Sequence, residues 1–492
     1  MIRTNGIAAW LRQGVGLAML AGPVFLWSGS GHQVAAQAAP LNLEQAVEQA
    51  LESSPVVRDA RLAAEAAQHR VGHARSRLLP RADLALGYTR NMTAPAAFLP
   101  AMLVDPDAPP GELFRVPLGA DNVWSSAVVV EQPILDLGSV AALRATSRAA
   151  ALQGEVVLEQ AHQVVATIRT LYYDLLLARD RARLTERSLE RVRTSLRQME
   201  ALRGEGLASE HDVLRLEVEV GTLEPAVRRA RNDQREAARE LLLAMGVEGE
   251  VDALEVAGSL ANMCLLDPAA NEPEDRAILQ FMGVDAGGLD AAERRSLVRE
   301  VSPALSRLEL EEGVRRAELR SQQAAYLPRI MLVGAYDIQA QQDGSPAFFG
   351  ESGQRGYGRV VGLQATVPIF SGLQRVARVG EANARLERAQ VGREAEEERT
   401  VTRLATLLEQ VEAAREETGG QRLAVERATR SQEIVASRFA EGLSSRLELM
   451  DAEVALRETQ VNYAKAVHAY LVARARVDAL LGQAPAPVGD LR

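Results

Sequence analysis

The chain says the same thing twice, over the length of a domain. Ser54-Pro55 is followed by Leu79-Pro80-Arg81 and Tyr88, and Ser302-Pro303 by Leu327-Pro328-Arg329 and Tyr336. In both copies the second proline comes 25 positions after the first, and the tyrosine 8 positions after that. Pro133-Ile134 is echoed by Pro368-Ile369, and Glu205-Gly206-Leu207-Ala208-Ser209 by Glu441-Gly442-Leu443-Ser444-Ser445. Gly246 and Gly482 close the two copies. A solenoid unit runs to about 20–50 residues, so this is a duplicated domain-sized unit. The copies span 41–246 and 296–482, with 247–295 between them and 483–492 as a tail.

The order of parts within a copy predicts a rod with a small sheet at one end. Residues 42–78 carry apolar positions at helical spacing, and Pro80 stops the run. Ala82, Leu84, Leu86 and Tyr88 then alternate with Asp83, Ala85, Gly87 and Thr89, the period of a strand with one apolar face. A loop over 91–122 leads to a second strand around Trp124–Val130, which Pro133 is expected to end. Residues 139–205 hold no proline and read as one helix of about 100 Å. A glycine turn and a return helix over 209–245, with a kink at Pro225, complete the copy. The second copy has the same parts, with strand faces Ile330, Leu332, Tyr336, Ile338 and Val361, Leu363, Ala365, Val367 around a loop over 339–357. Its long helix runs to Glu441 and its return helix ends near Leu481. The first and return helices together match the length of the long one, so two half-length helices stack end to end beside it.

The ends and the charge bound the function. Arg3 and Arg12 precede an apolar run from Val15 to Trp27, and Val34-Ala35-Ala36 or Ala36-Gln37-Ala38 offers a small-residue cleavage site, the pattern of an export signal over 1–36. Removing it takes the formal charge from −10 to −12, a balance that argues against nucleic acid as a partner. After the signal no apolar stretch is long enough for a membrane helix. One chain supplies four strands, and an open sheet edge is not tolerated in lipid. Two chains would give eight strands and three would give twelve.

These residues resemble the TolC-type outer-membrane efflux protein family over about 41–482. The resemblance rests on the paired Ser-Pro and Leu-Pro-Arg motifs, on Pro133 and Pro368, and on Arg438-Phe439-Ala440-Glu441-Gly442-Leu443-Ser444-Ser445 running into Leu449 and Asp451-Ala452-Glu453. It implies a mainly α fold with a small β part. Long antiparallel α-helical hairpins would form a periplasmic barrel, and four strands per chain would join a trimeric twelve-stranded transmembrane β-barrel. The implied function is an exit duct in the outer membrane of a Gram-negative bacterium, fed by an inner-membrane pump through a periplasmic adaptor in an efflux or type I secretion system. The implied partners are two further copies of the chain, the adaptor, the pump and lipid, with no enzyme activity and no cofactor. A periplasmic adaptor or a coiled-coil envelope protein is the alternative, but neither needs proline-ended strands in both copies.

The resemblance also implies site residues. The turns Glu205, Gly206, Leu207, Ala208 and Glu441, Gly442, Leu443, Ser444 correspond to adaptor-docking grooves at the periplasmic tip. Asp212, Glu448 and Asp451 correspond to carboxylates that ring the gate. Glu448 and Asp451 are three apart and share a helix face. Phe439 holds the family's aromatic position without a hydroxyl, and Arg203 stands there in copy one, a cation that could pair with Asp212 or Glu448. The inter-repeat segment corresponds to an equatorial belt. His69 and His73 have the i, i+4 spacing of two metal ligands but no third ligand nearby, so no metal site is expected. Cys264, the only cysteine, reads as a small buried hydrophobe. Tyr172-Tyr173 reads as interhelical packing, and the aromatics near the strands as membrane-interface girdles.

Overall fold

A computed structural model describes residues 40–483, except 94–95, 104–108, 110, 112, 118, 266, 284–286 and 442. The expected export signal over 1–36 and residues 484–492 of the expected tail lie outside the described residues. In chain order the first copy comprises α1 (Leu43–Ser53), α2 (Pro55–Ser76), β1 (Arg81–Arg90), β2 (Ala96–Pro100), β3 (Leu113–Pro117), β4 (Asn122–Asp136), α3 (Leu137–Gly204) and α4 (Glu210–Met245). Then come α5 (Pro273–Gln280), α6 (Ala291–Val301), α7 (Pro303–Ala324), β5 (Arg329–Gln342), β6 (Arg355–Thr366), α8 (Gln374–Ala440) and α9 (Arg446–Leu480).

The helix expected over 42–78 is two helices. Pro55 carries no N–H, and its ring drives the preceding residue out of the helical region, so Ser54 sits at φ −59°, ψ 127°. The same break separates α6 from α7, at Ser302 with φ −70°, ψ 118°. Each break is met by the glycine that ends the return helix. Gly246 has φ 71°, and a Cβ there would lie 2.6 Å from the Ser53 carbonyl oxygen. Gly482 has φ 64°, and its Cβ would lie 2.6 Å from Pro303 Cγ. The Ser-Pro motif and the distant glycine are thus two halves of one joint, where the return helix ends against the half-length helix. Only glycine combines that left-handed backbone with that closeness.

The long helices are α3 and α8, of 68 and 67 residues, each about 100 Å. α2 and α4 pack on α3, α7 and α9 lie between α3 and α8, and α6 rests on α8. α4 runs uninterrupted through Pro225.

The four long strands form one antiparallel sheet in the order β1-β4-β5-β6. The register brings Leu84 beside Val128 and Val128 beside Tyr336. Leu332 stands beside Leu363, and Gly334 beside Val361. One face is therefore predominantly apolar across the four strands, with Arg359 of β6 beside Tyr336 and stacked over its ring, and its leucines, valines and tyrosines are exposed in the single chain. The opposite face mixes small or polar residues, Asp83, Gly87, Ser125, Asp337, Gln339, Gly358 and Gln364, with Val129, Val333 and Val360. β1 and β6 have open edges in this chain.

Two strand expectations need correcting. Pro133 does not end β4, which continues to Asp136 with a register irregularity between Pro133 and Leu135. A bulge is a place where a strand accommodates a residue without an N–H. The loop expected over 91–122 contains the antiparallel hairpin β2–β3, with Leu99 beside Phe114; its prolines and glycines masked two short runs of strand-forming residues. In copy two the loop is shorter than 339–357, because β5 extends to Gln342 and β6 starts at Arg355.

The inter-repeat segment packs at mid-height on α3. Leu41 forms a parallel bridge to Val256. Tyr172 Oη lies 2.9 Å from the Leu41 carbonyl and 2.8 Å from that of Ala257, so its proton is shared between the two. Leu260, Met263 and Ile278 are buried with Ile168, Tyr172, Tyr173, Leu176 and Val467. Asp180, fully buried, accepts from Ala261 N–H at 3.0 Å and from the Ser259 hydroxyl. Arg179 donates to the Val256 and Gly258 carbonyls. Asp478 of α9 pairs with Arg169 of α3 at 2.7 Å, both side chains 1% exposed. Asp478 also accepts from Gly283 N–H at 3.2 Å. Cys264 is half-buried rather than a core hydrophobe, with its Sγ 3.0 Å from Arg422 Nη1; the sulfur meets a cation instead of an apolar pocket.

Candidate functional site at the helix-turn tips

Both hairpins reverse by the same backbone device. Gly206 takes φ 73°, Leu207 N–H donates to the Leu202 carbonyl at 2.8 Å, and Gly206 N–H donates to that of Arg203 at 2.9 Å. In copy two, Leu443 N–H donates to the Arg438 carbonyl at 2.7 Å; Gly442 lies outside the described residues. A left-handed residue followed by this six-to-one bond is a Schellman turn, which satisfies the last carbonyls of a helix. In such a turn the following apolar residue ordinarily packs back on the helix. Here it does not: Leu207 is 72% exposed and Leu443 64%. Glu205 and Glu441 are exposed beside them, and Ala208 and Ser444 are half-buried.

The serine after each turn caps the return helix. Ser209 Oγ accepts from Asp212 N–H at 3.2 Å and donates to Asp212 Oδ2 at 2.6 Å. Ser445 Oγ accepts from Glu448 N–H at 3.2 Å, Ser445 N–H donates to Glu448 Oε2 at 3.3 Å, and the Ser444 hydroxyl donates to the same oxygen. These bonds hold both carboxyls below the usual carboxylate range. For Asp212 the Ser209 hydroxyl is the main cause, with His211 and Arg215 adding positive charge. For Glu448 it is the Ser444 hydroxyl, then the Ser445 N–H and the Arg438 charge. The two predicted gate residues are therefore also the third residues of their helices, the position from which a carboxylate serves the cap. Asp451, one turn on, is exposed.

The aromatic position differs between the copies. Phe439 is half-buried, and the Arg446 guanidinium stacks over its ring at 5.3 Å. Burial pulls the Arg446 pKa down, and its Nε is buried without a hydrogen-bond partner among the described residues. The ring face supplies the electrostatic partner that hydrogen bonding does not. Arg203 is exposed and forms no ion pair with Asp212 or Glu448 among the described residues; Asp212 is turned onto Ser209 instead. Arg446 was missed in the sequence, although its place seven residues after the aromatic, across a tight turn, carried the signal. Met450 packs against the copy-one tip cluster of Met199, Val213 and Leu216, so the two tips touch.

A family model described as outer membrane efflux protein matches residues 46–247 and 295–483. The chain belongs to this family. It is an outer-membrane exit duct of the efflux or secretion kind, and the family is one of channels and not of enzymes. Among curated relatives, the alkaline protease secretion protein AprF of Pseudomonas aeruginosa is 25% identical over 72% of this chain and 68% of its own length. The outer membrane protein TolC of Escherichia coli is 23% identical over 90% of this chain and 82% of its own. Among solved structures, the open state of the Neisseria gonorrhoeae MtrE outer membrane channel superposes with TM-score 0.68 at 18% identity, covering 90% of each chain. The Campylobacter jejuni CmeC outer membrane channel gives 0.68 at 15% identity over 90% of this chain and 86% of its own. These likenesses fix the fold: a mainly helical rod carrying a small sheet.

Proposed function

We propose that three copies of this chain close their sheets into one twelve-stranded barrel in the outer membrane, continued into the periplasm by a tunnel of helices. The observation that carries this reading is the four-stranded sheet, predominantly apolar and exposed on one face, richer in small and polar residues on the other, with both edges open. In lipid every backbone group must be satisfied, so such a sheet has to close on itself or on copies. Four strands are too few to close alone. No described helix is long and apolar enough to cross a membrane. Residues 1–36 would direct export and be removed, and 41–246 and 296–482 would act as two equivalent staves joined by a mid-height belt.

The tips then form the inner mouth. Glu448 and Asp451 from three chains would gather six carboxylates near the axis and favour cations there, with Asp212, Arg203 and Phe439 around them. Leu207 and Leu443, exposed beside Gly206, Ala208, Ser444 and the acids Glu205 and Glu441, offer six apolar points to a periplasmic adaptor coupled to an inner-membrane pump. AprF is named for the secretion of a protease, and the channel structures are outer-membrane channels, so the duct serves an efflux or secretion assembly of this kind. Outer-membrane fractions extracted with detergent should yield a heat-modifiable assembly whose light-scattering mass is that of three chains. Recovery as a soluble monomer would contradict the reading.

A further inference from the structure

At mid-height, where the end of α9 meets the start of α7 between α3 and α8, the chain encloses an open cavity of 570 Å³. Its polar lining includes Glu159 and His162 of α3, Glu396, Arg399 and Arg403 of α8, and Arg476 of α9. The charges there are not balanced. Glu159 is committed to Arg307 at 2.9 Å, and Arg399 to Glu396 at 3.4 Å. Arg403 and Arg476 remain as permanent cations, on two different helices and facing one concavity. His162 adds a ring nitrogen that is buried without a hydrogen-bond partner among the described residues.

The cavity opens away from the inter-repeat belt. On α3 its lining recurs at 159, 163, 166 and 170. The residues buried toward the belt recur at 161, 165, 168 and 172. At about 3.6 residues per turn these are opposite sides of the helix. On α8, Glu397 and Glu398 take ion pairs from Arg299 and Arg295 of α6, and the cavity residues lie on another flank. A bulky belt covers one side of the helical wall, so only the other side can line a clear passage.

We infer that this cavity is a binding site for an anionic group, a carboxylate or phosphate, carried on molecules that traverse the duct; its lumenal position rests on the trimeric reading above. Guanidinium groups present forked donors that match both anions, and two of them on separate helices bracket a group that neither would hold alone. Three chains would repeat the site three times around the passage, a cationic girdle at mid-height in a chain whose net charge is −10. Anionic cargo would thus meet attraction at the equator after passing an acidic mouth.

Calorimetric titration of the full-length, detergent-purified protein with citrate and with tripolyphosphate tests this directly. Both should bind, and the tighter of the two names the preferred group. Arg403→Gln with Arg476→Gln should weaken binding at least tenfold, and Arg403→Gln alone by a few-fold. Arg388→Gln, an equal loss of charge elsewhere on α8, should change it less than twofold. Absence of binding by the unaltered protein, equal affinity in the double variant, or an equal loss in Arg388→Gln would overturn the site. Failure to find trimers bears on the duct reading and leaves the titration to judge the cavity.

Discussion

The two copies of the repeat are alike at their joints and unlike at their tips. Both joints put a Ser-Pro break against a left-handed glycine, and both tips share the six-to-one backbone bond of the turn and a serine cap. Yet four equivalent tip positions differ in charge: Leu202 against Arg438, Arg203 against Phe439, Glu210 against Arg446, and Arg215 against Asp451. Copy one sets His211 and Arg215 around its carboxylate, whereas copy two keeps Arg438 beside Glu448, stacks a second cation, Arg446, on a ring and adds Asp451. Backbone geometry has been held constant while side-chain chemistry has diverged, as expected if the joints carry the shape and the tips carry two jobs.

The largest test of the comparison lies where the copies are welded together. Arg169 and Asp478 join the long helix of copy one to the return helix of copy two, and the equivalent positions hold Ala405 and Leu242, so the pair has no counterpart. Removing one partner leaves a buried charge uncompensated. Asp478→Leu should cost about 3–5 kcal/mol, while Arg169→Met with Asp478→Leu should recover much of the loss. Chemical denaturation of the four-variant cycle measures it.

A smaller effect separates joint from tip within each copy. Gly246→Ala meets a backbone carbonyl and a left-handed backbone together and should cost about 2–4 kcal/mol. Gly206→Ala has a left-handed backbone but open space, and should cost about 1 kcal/mol. Thermal unfolding of the two variants ranks them; equal losses would break the proposed division of labour.

Smaller still is the clamp at the copy-two tip. Phe439→Leu keeps the apolar bulk but removes the ring face, and should loosen that tip by about 0.5–1 kcal/mol, read by hydrogen exchange at the start of α9. Arg203→Leu, at the equivalent place, should leave exchange at α4 unchanged. The caps add a pH dependence shared by both tips. Asp212 and Glu448 titrate below the usual carboxylate range, so their contribution is complete above that range. It is lost only as pH falls through the lowered values. Exchange at the first turns of α4 and α9 should therefore stay flat from neutral pH down to the ordinary carboxylate range and rise beneath it.

Much of this was legible because proline, glycine and alternation act locally. The strand faces, both tip turns and both long helices followed from Tyr88, Pro80, Gly206 and proline-free runs. What was not legible depends on contacts distant in sequence. Pro55 reads as one residue in a helical stretch until Gly246 closes on Ser53. Pro133 reads as a strand end until β5 pairs across it. The belt had no periodicity to read, because Ser259 and Ala261 are held by Asp180 and Gly283 by Asp478, partners about 80 and 195 residues away. At the tip, motif spacing points to Asp212 and Glu448, but their caps and the Arg446 stack arise only once the turn has folded.

Single-channel conductance in planar bilayers tests the central claim, that copy two supplies the acidic gate of a shared duct. Glu448→Ala with Asp451→Ala should raise conductance severalfold and weaken block by divalent cations about tenfold, while Asp212→Ala with Arg215→Ala, which removes no net charge, should change conductance little. Unaltered conductance and block in the copy-two variant would contradict the account.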